Sequence, residues 1–335
     1  MHSYPRTIRV GVAGATGYAG QELLALLSRH PNVQITAGMS SSADSAARAL
    51  PRLARVWNGR LEPLDIPRLI ANTDVTFLAL PEKAAADVAL PLLGSGRRVI
   101  DLSGAFRIRD NADRAEWYPA TPALPAGTAY GLVEHNAREI AGAQLIACPG
   151  CYPTAALLSL LPLSKAGLVD ANAGIVIDAK SGISGAGRAA SDRTHFSENH
   201  GSVSAYGVLG HRHAAEMQQE LHAEVTFVPH LVPLDRGILE TIYVKTNAGV
   251  TADQIADAMA ACYADAPFVR LTGDALPEIK HVAWTNFCDI GWKFDAPSRR
   301  LVLIAVLDNL VKGAAGQAIQ NFNVIHDLDQ RTGLL

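Results

Sequence analysis

The sequence predicts an α/β protein in two parts, a mostly parallel sheet first and a mixed or antiparallel sheet second. Three observations predict it. Short strand-like runs alternate with helix-length amphipathic segments through the first half, the pattern of βαβ units. A glycine cluster, GVAGATGYAG, stands between the first such run and the first such helix. Longer β-rich runs in the second half are joined by short links, as antiparallel neighbours are.

Taken in order, residues 8–12 form the first strand. Leu23, Leu24, Leu26 and Leu27 place a helix over residues 21–29, which His30-Pro31-Asn32 stops. Val33–Met39 reads as the second strand, residues 75–80 as a buried strand ending at Pro81, and residues 82–93 as a helix. Residues 98–102 and 145–147 complete the strands of the first half. A helix follows over 154–165, then a strand over 174–180. Residues 181–211 are rich in Gly, Ser and His, and so long an irregular stretch in a compact protein points to function. Residues 225–232, 238–245, 282–287 and 301–307 read as strands of a second sheet, with hairpin-like links at 233–237 and 295–299. A helix over 313–323 is expected to pack back on the first part.

Bulk properties exclude several classes of function. The chain has 335 residues, room for two domains, and its 49% hydrophobic and 18% charged residues are ordinary for a globular protein. A net charge of −3 with no basic tract gives no reason to expect a nucleic-acid or membrane partner. The N-terminus enters a strand with no apolar signal core, and the longest apolar run, AALLSLLPL, is short and contains Pro162. Four cysteines are too few for a disulfide scaffold, so a cytoplasmic protein is expected.

Gly14, Gly17 and Gly20 sit where a dinucleotide loop belongs, with Thr16 and Tyr18 between them. Glycines there permit the tight turn and let pyrophosphate approach the backbone at a helix N-terminus, although the spacing is GxxGxxG rather than GxGxxG. NAD-preferring folds place an acid at the end of the second strand. Here that strand runs into Ser40, Ser41 and Ser42, with no acid before Asp44. A hydroxyl-rich loop tolerates a 2′-phosphate, so NADP(H) is the expected cofactor, with Arg48 or Arg52 as helpers.

Cys151 lies between Pro149-Gly150 and a helix start, where unpaired N–H groups and the helix dipole favour a thiolate. A thiolate can attack an acyl carbon and leave again. Cys148 makes the run a CxxC, which opens a dithiol redox reading. That motif belongs to small domains and not downstream of a nucleotide loop, so Cys148 is read as structural and Cys262 and Cys288 as core.

His211 and His213 open a helical stretch in which Glu216 stands three residues after His213 and could orient its imidazole. The pair supplies the acid–base that thioester chemistry needs. An HxH pair without further ligands is a weak metal signal, and no metal is expected. Arg107, at the carboxyl end of a parallel strand, is a candidate for gripping phosphate or carboxylate, as is Arg188 at the end of SGISGAGR. Ser184 and Gly185 in that run, with Asn309 and Gln317, are candidate cofactor contacts.

Together GATGYAG, DLSGAFR, CPGCYPT, KSGISGAGR, HRHAAEM and DNLVKGAAGQAIQNFN resemble the N-acetyl-γ-glutamyl-phosphate reductase family, relatives of the aspartate-semialdehyde dehydrogenases. The resemblance runs the whole length of the chain. It implies an NADP-binding Rossmann domain over 1–150, completed by a C-terminal helix within 313–335, and a catalytic and oligomerisation domain over 151–312. It also implies Cys151 as nucleophile, His213 as acid–base with His211 its neighbour, and Tyr206 near that site. The implied reaction is NADPH-dependent reduction of a glutamyl phosphate to the semialdehyde, by a homodimer or homotetramer acting on a small molecule. Val133 stands where the family is expected to carry proline. A reductase of aspartyl or aminoadipyl phosphate, a CxxC dithiol protein and a non-catalytic NADP-binding regulator are the competing readings.

Overall fold

The computed structural model describes residues 7–41 and 46–335. The chain divides into two compact units, one running to Pro149 and joined by Ala314–Leu335, the other formed by Gly150–Gly313.

The first unit contains β1 (Ile8–Ala13), α1 (Tyr18–Leu27), β2 (Val33–Met39), α2 (Ile66–Asn72), β3 (Val75–Leu78) and α3 (Glu82–Gly94). It continues with β4 (Arg98–Asp101), α4 (Asn111–Trp117), β5 (Ala129–Tyr130), α5 (Val133–Gly142) and β6 (Leu145–Ala147). Its strands form one sheet in the order β2-β1-β3-β4-β6-β5, with every pairing parallel. The central strands are buried on both faces, which is why they read as continuous apolar runs. The helix Gly316–Ile325 belongs to this unit. Its Phe322 ring lies 5.9 Å from that of Phe77, its Asn323 Oδ1 meets His30 Nε2 at 2.9 Å, and Arg98 donates to the Ile325 carbonyl at 2.6 Å.

The second unit opens with α6 (Cys151–Lys165), which starts three residues earlier than expected, and β7 (Ile175–Gly182). The long Gly/Ser/His stretch carries only the short α7 (Phe196–Asn199) and β8 (Ser204–Ala205) before α8 (His213–Leu221). Then come β9 (Val225–Val232), β10 (Ile238–Lys245), α9 (Ala252–Tyr263), β11 (Val269–Gly273), β12 (Cys288–Asp295) and β13 (Arg300–Leu307). The sheet order is β11-β12-β13-β10-β7-β9-β8.

Two expectations are corrected here. Residues 233–237 do not close a hairpin, because β7 lies between β9 and β10, parallel to one and antiparallel to the other. The link instead crosses the end of β7, where a Cβ on Gly182 would stand 2.7 Å from the Arg236 nitrogen. Residues 282–287 are not a strand. Trp284 takes a left-handed backbone, φ 68°, that costs a bulky residue about 1–2 kcal/mol, and pairing with β13 begins only at Cys288. The expected turn at 295–299 does join antiparallel neighbours, with Asp295 opposite Arg300.

Alternation along β10 defines the two faces of this sheet. Ile238, Glu240 and Ile242 are buried, whereas Leu239 and Thr241 are half-buried and Tyr243 is exposed. Glu240 is the anomaly on the inner face. It stands opposite Ala179 and Ala305, is fully buried, and neither carboxylate oxygen has a hydrogen-bond partner. Burial holds its carboxyl protonated, far above the usual carboxylate range.

Candidate active site

In the first unit the glycine loop joins β1 to α1. Gly14 has φ 86°, and a Cβ there would sit 2.1 Å from the Ala79 carbonyl. A Cβ on Gly20 would sit 2.3 Å from the Gly14 carbonyl, so both glycines are demanded by packing. Gly17 differs. It is the N-cap of α1 with no side-chain cap, and a Cβ on it would meet nothing nearer than Gly14 O at 3.6 Å. The fold leaves that space open directly before a helix N-terminus, which suits the pyrophosphate of a dinucleotide.

Thr16 accepts a hydrogen bond from Gln21 through its carbonyl, Tyr18 begins α1, Ser40 is buried at the end of β2 and Ser41 is exposed. Arg52 pairs with Glu22 at 3.1 Å, and Arg48 lies in a bridge with Leu61. Ser42 and Asp44 lie outside the described residues. Gln317, fully buried, donates to the Gly131 carbonyl at 3.1 Å while its Oε1 has no hydrogen-bond partner, a second place suited to a polar cofactor group.

Arg107 is buried rather than free to swing. Its Nε donates to the Cys148 carbonyl and its Nη2 to the Leu102 carbonyl, each at 2.7 Å. Cys148 is buried, with Asn321 Nδ2 at 3.8 Å from its sulfur; burial and nearby Asp101 hold its thiol protonated. A buried, protonated thiol is a poor member of a cycling dithiol pair.

In the second unit Cys151 is the first residue of α6, with Gly150 as N-cap. Every part of Gly150 is engaged. Its N–H donates to Glu216 Oε1 at 2.8 Å, its carbonyl accepts from the Thr154 amide and hydroxyl at 2.9 Å, and a Cβ would stand 2.5 Å from His213 Nε2. The His213 imidazole therefore lies directly over the residue that precedes the thiol. On the other side, a Cβ on Gly313 would stand 2.8 Å from that of Cys151. Sequence spacing suggested that Glu216 orients His213; the bond the structure adds is to the helix cap, a long-range contact with no local signal.

His211, His213 and Tyr206 are brought together, as expected. The two imidazoles are 4.7 Å apart, Tyr206 is 5.7 Å from His211, and the His213 amide donates to His211 Nδ1 at 3.1 Å. The grouping also includes residues that sequence reading did not single out. Tyr152 meets the Tyr206 hydroxyl at 3.0 Å, Phe227 packs 5.3 Å from His211, and the Arg193 guanidinium lies 4.8 Å over the Tyr206 ring. Burial, with Arg212 and Arg193 adding to it, lowers His211 to about 4, so its ring is neutral at neutral pH. Burial likewise raises Tyr152 and Tyr206, keeping both phenols protonated.

Ser184 and Gly185 lie in a turn after β7, and Arg188 beyond them is exposed. Asn309 spends both ends of its amide within this unit, Oδ1 accepting from the Gly237 amide at 2.7 Å and Nδ2 donating to Ser184 Oγ at 3.0 Å. Among the described residues no group of three His, Cys, Asp or Glu comes together to hold a metal.

Residues 9–143 match the family model described as semialdehyde dehydrogenase, NAD binding domain, and residues 151–309 the one described as semialdehyde dehydrogenase, dimerisation domain. An aspartate semialdehyde dehydrogenase II from Vibrio cholerae superposes with a TM-score of 0.73 over 96% of this chain and 99% of that one, at 18% identity, a likeness of fold. The N-acetyl-gamma-glutamyl-phosphate reductase of Brevibacillus brevis is 46% identical and that of Bacillus subtilis 40%, each over 98% of both chains. With that identity along nearly its whole length, the chain belongs to the N-acetyl-gamma-glutamyl-phosphate reductase family.

Proposed function

We propose that this protein reduces N-acetyl-L-glutamyl 5-phosphate to N-acetyl-L-glutamate 5-semialdehyde with NADPH, through a thioester on Cys151, a step of arginine biosynthesis. The observation that carries the reading is the thiol at the start of α6, beside a Gly150 held by Glu216 and covered by His213.

The chain's own residues account for the steps. His213 takes the Cys151 proton, and the α6 N-terminus favours the thiolate that attacks the acyl carbon. Phosphate leaves and the thioester remains. When bound, the nicotinamide supplies the hydride that reduces this thioester. Collapse of the tetrahedral species then expels the sulfur, which His213 reprotonates as the aldehyde departs. His211, neutral, fixes the His213 backbone through its Nδ1, and the Tyr152–Tyr206 pair supplies protonated hydroxyls beside the imidazoles.

We assign cofactor binding in the first unit to Gly14, Thr16, Gly17, Tyr18 and Gly20, with Ser40 and Ser41 at the ribose and Gln317 as an amide contact. The hydroxyls ending β2 favour NADP(H) over NAD(H). The units correspond in this reading to an NADP-binding domain completed by the C-terminal segment and a catalytic, oligomerising domain. Catalysis by an unmodified thiol suits a reducing compartment, the cytosol.

The direct test runs the reaction in reverse, with phosphate, N-acetylglutamate semialdehyde and NADP⁺, following NADPH. Activity confined to aspartate semialdehyde would overturn the substrate assignment. Cys151→Ser should abolish turnover and keep NADPH binding; substantial turnover in that variant removes the thioester.

A further inference from the structure

We propose that Asp308 is a positioning residue for the Cys151 thiol, acting through the turn 308–313; this rests on Cys151 being the nucleophile. The Asp308 carboxylate is fully buried and every direction around it is occupied. Oδ1 accepts from the amides of Leu310 at 2.8 Å and Val311 at 3.0 Å, as an N-cap side chain does. Oδ2 accepts from the Trp284 amide at 2.7 Å, and Arg236 Nη1 approaches both oxygens at 3.4 and 3.3 Å. The Asp308 carbonyl accepts from the Gly313 amide at 2.9 Å, closing the turn.

That turn sets the position of the thiol-bearing residue. Gly313 lies so close to Cys151 that a single added carbon would stand 2.8 Å from the Cys151 Cβ and 3.2 Å from its Cα. Gly313 has no positive φ, so glycine is required by this approach rather than by its backbone angles. Asn309 extends the same hub, tying the turn to Gly237 and to Ser184. The surroundings are built to hold the carboxylate. Arg236 is buried, its guanidinium stacked 3.6 Å over the Trp284 ring, and Trp284 accepts a left-handed backbone while its amide points at Asp308. Strain of this kind persists where surrounding contacts over-determine a residue, and it gathers at functional sites.

Asparagine cannot replace this residue. Its one oxygen cannot serve both the Leu310/Val311 amides and the Trp284 amide, and its NH₂ would face further donors. In full-length Asp308→Asn, kcat per folded molecule should fall about 10- to 100-fold, the scale of a displaced reacting group, with KM within about threefold. Site-resolved iodoacetamide alkylation supplies a readout that loss of stability alone would not reproduce. The Cys151 rate should change about fivefold or more, while buried Cys148 and Cys288 stay protected.

Asp289→Asn, which breaks the pair with Arg270 elsewhere in the sheet, serves as a control that should lower stability and leave the Cys151 rate unchanged. Gly313→Ala tests the link without touching the carboxylate and should cut kcat comparably; it decides the matter if Asp308→Asn does not fold. An unchanged kcat and Cys151 rate in folded Asp308→Asn would overturn the proposal, as would Cys148 and Cys288 opening together with Cys151. Turnover surviving Cys151→Ser would instead sink the nucleophile reading, and the alkylation rates would still test the positioning role.

Discussion

At the scale of single residues, two glycines separate what the fold needs from what the chemistry needs. A Cβ on Gly20 has nowhere to go, so Gly20→Ala should destabilise the first unit outright. Gly17 has room, so Gly17→Ala should leave thermal stability nearly intact and weaken NADPH binding; unchanged affinity by titration would show that the loop does not approach the cofactor. The two histidines are likewise distinguishable. His213→Asn should lower kcat by about 10²–10⁴-fold, the usual loss of a general acid–base. His211 is lowered from 6.5 to about 4 on folding, so the unfolded chain binds the extra proton between those values. Its contribution to stability is whole above pH 6.5 and is lost as pH falls toward 4, and His211→Asn should flatten that part of a urea-unfolding profile. Tyr206 came only with the family resemblance, whereas Cys151, His211 and His213 were legible as candidates because reactive types stood at helix starts. Glu216 and Asp308 as hubs were not, because a carboxylate's partner across 66 or 72 residues has no local pattern. Arg107 is a candidate ligand grip by its place at a strand end, and its hydrogen bonds to the Cys148 and Leu102 carbonyls carry no signal in the sequence.

At the scale of elements, periodicity located strands well and their neighbours poorly. Val33–Met39, Val225–Val232 and Ile238–Lys245 match residue for residue, because β-rich runs bounded by turns carry their own limits. Whether β10 follows β9 in the sheet is decided by what β7 can pair with, a long-range competition that no window of sequence contains. Residues 282–287 misled for a related reason, since Val282, Trp284 and Phe287 have strand-forming side chains, but a distant aspartate captures the Trp284 amide and Thr285 that of Phe287. Within β10, Glu240 is a strand residue with an unsupported carboxyl. Its protonation is raised on folding, so stability is whole below the ordinary carboxylate range and declines as pH rises above it. Glu240→Gln should remove that slope, and Glu240→Leu should stabilise by about 1–3 kcal/mol, the cost of an unpaired buried polar group. A lower melting temperature for the leucine variant would mean that water or a hidden partner satisfies the acid.

At the scale of the whole molecule, one face of the second sheet carries exposed and half-buried apolar side chains. Val176 and Tyr243 are exposed on it, and Thr241, Val302 and Ile304 are half-buried beside them. The match of residues 151–309 to a dimerisation domain supports assembly through this unit. Tyr243→Asp should shift sedimentation toward the monomer while leaving the fold intact; an unchanged mass would place the contact elsewhere. The division of the chain has a separate consequence, for the order in which the protein is made. Residues 150–313 form their unit from one continuous stretch, whereas the first unit waits for residues 314–335. On the ribosome the thiol-bearing half therefore has all its parts first, although it is encoded second. Until Phe322 arrives, Phe77 and its neighbours lack a wall of their core, so the nascent chain carries an unfinished apolar surface through most of its synthesis.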